Sequence, residues 1–320
     1  MRRLVLGAAA CGLLALILQV YAGYKRGSPI TPGPATASLE LVKRSYDPPR
    51  PRALGWDQPL PGRVSPESSP EEPHTSPSRT VEQVLFVGGS WLVVSRSPEG
   101  GLDLVALSAD WSRSRRVTGF AVPPASRLWF KLVPDREWRR AIVCTGYRSD
   151  HESGGFAIDV AVLDVPYSRL RVLYHAPGSG PPGGDPAVWA GERIVVAHER
   201  AVTLIDPTTG MVREAYREQW SDAGAGITTL WPSPLGTLVT FDRDRARYFL
   251  ESSRRAKCNL VVIDVAAGRG VPVANDSRPD YYHGVVKWES EDSLLFWVSG
   301  GSGKASLYRA KLRPAHADSR

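Results

Sequence analysis

Two short segments of the chain gather residue types that could bind a ligand or a metal. The segment SDHESGG contains Asp150, His151 and Glu152 in a row, and carboxylates and imidazoles are common metal ligands. Three adjacent side chains point in different directions, so they cannot jointly chelate one ion. We therefore predict no metal site here. The favoured interpretation is a hairpin loop in which Asp150 and His151 could contact a partner.

The second segment, PDYYHG, places Tyr281, Tyr282 and His283 together at the entry to the last of several repeated units. Exposed aromatic side chains are effective recognition anchors because they bury much area in few contacts. Packing against a neighbouring strand is the alternative for the same residue types. We predict that these three residues are candidate binding residues.

The elements that must position these residues are short strands. Apolar runs of four to eight residues, rich in Val, Ile, Leu and aromatic residues, are bounded by Gly, Pro, Asp and Ser, and no helical period runs through them. The second apolar run of each unit recurs five times: WLVV at Trp91, AIVC at Ala141, RIVVA at Arg193, TLVTF at Thr237 and SLLFW at Ser293. A period of about 40 to 50 residues with about four strands per unit is typical of propeller blades.

The third strands support this interpretation, because two of them end in the same turn. Asp206–Gly210 reads DPTTG and Asp264–Gly268 reads DVAAG. Asp can accept hydrogen bonds from the turn backbone, and Gly readily adopts a positive φ. The sequence thus predicts an all-β fold, most simply a five-bladed β-propeller over residues 81–314, with a tail at 315–320.

The repeats resemble TolB-type and WD-like propeller repeats, in which an aromatic residue, a turn, an apolar strand and a hairpin succeed one another. The best matches are VKWESEDSLLFWVSGGSGKASLYRAKL from Val285, TTLWPSPLGTLVTF from Thr228 and KLVPDREWRRAIVC from Lys131. The resemblance is architectural and implies a propeller fold. It implies no particular activity, because unrelated functions occur on one fold.

A third segment suggests an enzymatic alternative. GDPAVW from Gly184 resembles the start of a catalytic blade in arabinanase-like glycosidases, which are five-bladed propellers. The resemblance implies that Asp185 would act as a base and would need an acidic partner across the channel. The sequence offers no convincing partner. A turn-forming Asp-Pro is therefore the favoured interpretation, and a carbohydrate hydrolase is the alternative function.

The N-terminus predicts export. Arg2 and Arg3 precede an apolar stretch from Leu4 to Val20 that ends in small residues, the pattern of a signal peptide or of an uncleaved membrane anchor. We favour the anchor for residues 1–26. Lipid attachment at Cys11 is a third possibility. Each of these readings places the propeller outside the cytoplasm.

Residues 27–80 form a predicted linker. Twelve of the 27 prolines lie in it, together with Ser, Thr and Glu clusters, and such a composition buries too little apolar surface to fold by itself. One stretch, 38–45, alternates like a strand. The last unit lacks a fourth strand, and our hypothesis is that 38–45 supplies it; a disordered stretch with incidental Leu spacing is the favoured interpretation.

Net charge and cysteine content bear on which partners and bonds the propeller can form. Residues 1–80 carry ten basic and six acidic residues, which leaves +3 of the net charge of +7 to the rest of the chain. A nearly neutral propeller argues against nucleic acid. Cys144 and Cys258 are expected to be free thiols, and no motif for a cofactor is present. We therefore predict a membrane-tethered or exported propeller that binds a protein, peptide or glycan and has no cofactor.

Overall fold

The computed structural model describes most of the repeated region and the segment that precedes the linker. The described residues are 30–47, 80–96, 102–117, 127–148, 156–164, 169–178, 186–198, 201–217, 225–245, 260–275, 282–299 and 305–313. The predicted N-terminal helix, the tail at 315–320 and most of the linker lie outside them. Within these ranges, no helix long and apolar enough to cross a membrane is found.

Five antiparallel sheets, numbered here in chain order, contain all the strands of the described residues. The first sheet contains β3 (Thr80–Val87), β4 (Ser90–Arg96), β5 (Leu102–Ser108) and β6 (Ser114–Arg116). The second contains β7 (Arg127–Pro134), β8 (Arg140–Arg148), β9 (Phe156–Asp164) and β10 (Arg169–Gly178). The third contains β11 (Ala187–Ala190), β12 (Arg193–His198), β13 (Ala201–Ile205) and β14 (Val212–Arg217).

The last two sheets also take strands from the N-terminal segment. The fourth contains β15 (Ala225–Pro232), β16 (Leu238–Arg245), β17 (Leu260–Asp264) and β18 (Arg269–Asn275), with β1 (Thr31–Pro32) at its outer edge. The fifth contains β19 (Tyr282–Ser290), β20 (Ser293–Ser299) and β21 (Ala305–Leu312), followed by β2 (Thr36–Tyr46).

The fifth sheet is completed by a strand from far away in the sequence. Residues 38–45 lie within β2, which pairs antiparallel with β21 from Thr36 opposite Leu312 to Tyr46 opposite Ala305. Leu39 packs against the apolar cluster between the fourth and fifth sheets. β2 therefore supplies the backbone partners for the edge of β21 that would otherwise be unpaired in this sheet.

Apolar clusters hold consecutive sheets together. In each strand alternate side chains face opposite neighbours, so one face of the second sheet packs Leu163 toward the first and the other packs Ile142 toward the third. Two further clusters join the third sheet to the fourth, through Phe241, and the fourth to the fifth, through Phe296. Cys144 is a free thiol buried in this core, and burial raises the pKa of that thiol well above its ordinary value.

Candidate functional site

One end of each sheet carries the turn between its first and second strands and the turn between its third and fourth strands. In an antiparallel meander these two turns always lie at the same end of the strands, and we call this end the turn edge. Several of its turns contain a residue with positive φ. That residue is glycine at Gly210, Gly236 and Gly268, with φ of 76°, 74° and 62°, as expected from the absence of a Cβ atom.

Two turns place tryptophan where the others have glycine. Trp111 has φ of 62° and Trp138 has φ of 57°. A left-handed backbone costs a residue with a side chain about 1–2 kcal/mol, and for a bulky residue it is an outlier. Both side chains are also largely exposed, 60% for Trp111 and 51% for Trp138. The chain therefore keeps two strained tryptophans at the surface of the turn edge.

Hydrogen bonds within its own turn hold Trp111 in place. Asp110 accepts from the hydroxyls of Ser108, at 2.5 Å, and Ser112, at 2.8 Å, and from the Ser112 amide at 3.1 Å. The backbone closes the turn, because the Trp111 amide donates to the Ser108 carbonyl at 2.9 Å. The Ser108 hydroxyl, followed by the hydroxyl and amide of Ser112, lowers the pKa of Asp110 from 3.8 to about 2.

This turn should therefore loosen only in strong acid. A carboxylate whose pKa is depressed by folding contributes stability above its unfolded pKa and loses it as the pH falls through the folded value. For Asp110 that window runs from about 3.8 down to about 2. We expect the carboxyl ¹³C resonance of Asp110 to titrate near 2, and closer to 3.8 in a chain carrying Ser108→Ala and Ser112→Ala, which keeps only the backbone hydrogen bonds to this carboxylate. A midpoint near 3.8 in the wild type would contradict this arrangement of the turn.

The Trp111 ring ends a row of aromatic side chains on the first sheet. Its centroid lies 5.7 Å from that of Trp91, and the Trp91 centroid lies 4.9 Å from that of Phe86. Phe86 is 43% exposed. These distances and the tilted ring planes are those of favourable aromatic contacts.

The Trp138 turn belongs to the second sheet and touches the first. Buried Asp135 accepts from the amides of Arg139, at 2.8 Å, and Arg140, at 3.1 Å. The Trp138 carbonyl accepts from the amide of Gly88, two residues after Phe86, at 2.5 Å. The two tryptophan turns therefore lie on neighbouring sheets at one edge. We call Phe86, Trp91, Trp111 and Trp138 the aromatic rim.

Apart from the aromatic rim, a polar cluster of Tyr147, Asp159 and His175 lies on the second sheet. The Asp159 carboxylate lies 2.7 Å from Nδ1 of His175, and the Tyr147 hydroxyl lies 3.2 Å from the same nitrogen. Asp159 and His175 are directly opposed on β9 and β10. Both contacts use Nδ1, so neither places a nucleophile on Nε2, as a catalytic triad requires. The cluster fixes the outermost strand of the sheet.

Most of the site residues expected from the sequence lie outside the described residues. These are Asp185, Asp150, His151 and Tyr281. Tyr282 and His283 begin β19, where they pair with Ser299 and Val298. The role of these six residues therefore stays a prediction.

The described residues contain no group of three or more His, Cys, Asp or Glu side chains that could hold a metal. Glu82 and Glu289, on the first strands of two sheets, each pair with an arginine of their own sheet, Arg96 at 2.7 Å and Arg309 at 2.6 Å. Both carboxylates are thus held in ion pairs. The hydrolase alternative depends on Asp185 and is untested.

Sequence reasoning missed the aromatic rim, although a signal for it existed. The turns SADW, ending at Trp111, and DREW, ending at Trp138, have the same form as SPLG, ending at Gly236. Aligning these three turns would have placed tryptophan at a position that demands positive φ.

The arrangement of the sheets identifies the fold. Five consecutive antiparallel sheets pack face to face in chain order, and an N-terminal strand completes the last of them. The chain is a β-propeller. The prediction of an all-β propeller with five repeated units is confirmed.

No family model matches the chain, and no curated protein matches it. Similar solved structures include TolB from Acinetobacter baumannii, at 8% identity and a TM-score of 0.36 over 73% of this chain and 56% of TolB. They also include the β-propeller domain of the Trilobed protease from Pyrococcus furiosus, at 8% identity and a TM-score of 0.41 over 75% of this chain and 73% of that domain.

A third similar structure is Porphyromonas gingivalis dipeptidyl peptidase 4, at 10% identity and a TM-score of 0.45 over 70% of this chain. This propeller spans 37% of the length of that peptidase and about half, 56%, of the length of TolB. At these identities the likeness extends to the fold alone.

Proposed function

We propose that this chain is a non-enzymatic binding propeller whose partner, a protein, peptide or glycan, contacts the aromatic rim. The observation that carries the proposal is the use of Trp111 and Trp138 at left-handed turn positions that other turns fill with glycine. Strain of this kind persists only where the surrounding structure enforces it, and it concentrates at binding and catalytic sites. Glycine would adopt these turn conformations with less strain, so we infer that the tryptophans are there to make contacts at the surface.

The rigidity of the two turns makes these tryptophans efficient anchors. Asp110 and Asp135 accept backbone and side-chain hydrogen bonds that fix each turn before any partner arrives. A pre-ordered indole loses little conformational freedom on binding, and tryptophan is among the residues most enriched at binding hot spots. The rim thus combines exposed aromatic area with a low cost of ordering it.

The proposed location follows from the N-terminal sequence. Arg2, Arg3 and the apolar stretch that follows support a membrane anchor in residues 1–26, and the Pro-rich linker would carry the propeller away from the membrane. Added protease should then digest the propeller of the full-length chain in spheroplasts or intact cells without detergent. Protection until the membrane is dissolved would place the propeller on the cytoplasmic side and refute this location.

The binding site can be tested by photo-crosslinking from defined positions. We would place p-benzoylphenylalanine at the rim positions Ala109 or Glu137, exposed residues of the two tryptophan turns that leave both tryptophans in place, and at Met211 as the matched control. Met211 follows the turn between β13 and β14 at the same edge and is 61% exposed. We expect a discrete adduct from both rim positions and none from Met211. Equal labelling from all three positions, or adducts from Met211 alone, would show that the rim is not the binding site.

A further inference from the structure

The two exposed tryptophans of the aromatic rim lie on turns that are two strands apart. The carbonyl of Trp138 bonds the amide of Gly88, which lies in the turn between β3 and β4 of the first sheet. Trp111 lies in the turn between β5 and β6 of that same sheet. Neighbouring strands are about 4.7–4.9 Å apart, so the two turns are separated by about 10 Å.

This separation matches the repeat of a polyproline II helix. Such a helix has three residues per turn and rises about 3.1 Å per residue, so every third side chain returns to the same side about 9 Å further along. Proline-rich chains adopt this conformation before they bind, and they dock on surfaces lined by aromatic side chains. The exposed indoles of Trp111 and Trp138, on their rigid turns, thus suit residues i and i+3 of a proline-rich segment.

The chain itself contains a proline-rich segment that is joined directly to the sheets. Residues 48–79 connect Asp47, which follows β2, to Thr80, which begins β3, and nine of them are proline. The end of β2 pairs with Ala305 at the start of β21, and Thr80 pairs with Arg96 at the end of β4. Both junctions therefore lie at the end of the sheets opposite the turn edge.

The length of this segment decides which part of it can reach the rim. β3 has eight residues, so the turn edge lies about 25 Å from the junctions along the strands. At about 3.1 Å per residue, a proline-rich chain needs at least about eight residues to cover that distance. Only the stretch from about residue 56 to about residue 71 is far enough from both junctions. The sequence PLPGRVSP, residues 59–66, lies in the middle of this stretch, and its Pro61 and Val64 are three residues apart.

We propose that residues 59–66 of this chain dock on Trp111 and Trp138 as a polyproline II segment, an inference that rests on the proposed function of the rim. Pro61 and Val64 would each cover one indole. Because the segment belongs to the same chain, its effective concentration at the rim is on the order of millimolar, and a weak contact is enough to occupy the site. An external partner would bind by displacing this segment.

The test is binding of a fluorescein-labelled peptide of residues 56–71 to the full-length chain in detergent, measured by fluorescence polarisation. The variant Pro59→Ser, Pro61→Ser, Pro66→Ser removes the prolines of the attached segment and leaves the described sheets unchanged. We expect the peptide to bind this variant about tenfold more tightly than the wild type, because the attached segment no longer competes with it.

Two further variants control this comparison. Adding Trp111→Gly and Trp138→Gly to the serine variant should abolish peptide binding, because the indoles are the proposed contact. The matched control carries Pro48→Ser, Pro49→Ser and Pro51→Ser, three prolines of the same segment that lie too close to β2 to reach the rim. It should bind the peptide with the wild-type affinity.

The outcomes separate this inference from the proposed function. Equal affinity of the peptide for the wild type and for the serine variant would show that the attached segment does not occupy the rim. Peptide binding that does not depend on the tryptophans, or no binding at all, would also overturn the inference. Tryptophan-dependent binding of a polyproline peptide, but not of residues 56–71, would assign the rim to a proline-rich segment of another protein. In each of these cases the crosslinking experiment still decides whether the rim binds an external partner.

Discussion

Replacing Trp111 and Trp138 together by glycine is expected to abolish partner binding while the fold keeps its stability. Loss of a tryptophan hot spot costs about 2 kcal/mol or more, or about 30-fold in affinity for each residue. Relief of the left-handed backbone raises the free energy of unfolding by about 1–2 kcal/mol per turn. The greater freedom of glycine in the unfolded chain lowers it by about 0.5–1 kcal/mol per turn. Loss of the contact with Trp91 lowers it by about 0.5–1.5 kcal/mol more.

The free energy of unfolding should therefore stay within about 1 kcal/mol of the wild-type value. Denaturant unfolding measures it, and affinity for the crosslinked partner measures the function. Trp189→Phe is the contrasting control, because Trp189 is 8% exposed and its indole bonds the Val133 carbonyl. That change should lower stability by about 1 kcal/mol and leave binding intact. If instead the glycine variant unfolds readily and still binds, the rim tryptophans are structural.

The strands could be predicted from the sequence because their signal is local. The second apolar run of every unit became the second strand of a sheet, as Leu92 in β4 and Leu294 in β20 illustrate. Both side chains are fully buried, so the residues that carry the pattern are those that the core requires. Alternation along a short run is enough to specify such a strand.

The glycine turns were predictable for the same reason. Asp206 accepts from the amides of Thr208, at 2.8 Å, and Thr209, at 3.0 Å. Asp264 accepts from the amide of Ala267 at 2.9 Å. Gly210 and Gly268 then take the positive φ that each turn requires. Residue type and backbone conformation agree in these turns, which is why the D-x-x-x-G pattern revealed them.

The aromatic rim could not be read in this way, because its residues contradict local preference. Tryptophan is among the residues least expected at positive φ. The sequences SADW and DREW therefore do not by themselves predict a left-handed backbone at Trp111 or Trp138. Functional residues often break the local rules that specify the fold.

Gly236→Ala is expected to produce the largest loss of stability of any single methyl addition at the turn edge. Gly236 has φ of 74°, and a Cβ atom added there would lie 2.1 Å from the amide nitrogen of Gly191 and 2.7 Å from the carbonyl carbon of Ala190. These are backbone atoms of the third sheet, so no side chain can rotate away. The left-handed conformation costs about 1–2 kcal/mol and the overlap about 1–3 kcal/mol more.

Two other glycines separate those two contributions. Gly210 has φ of 76° and no atom within 4 Å of its added Cβ, and Gly191 has φ of 58° with its nearest atom at 3.9 Å. Alanine at either position should cost only the backbone strain, about 1–2 kcal/mol. The excess at Gly236, measured by denaturant unfolding, then reports how tightly the third and fourth sheets meet at the turn edge. An equal cost at all three positions would mean that these sheets do not touch there. A clear excess would show that the edge bearing Trp111 and Trp138 is a rigid platform, as pre-ordered binding requires.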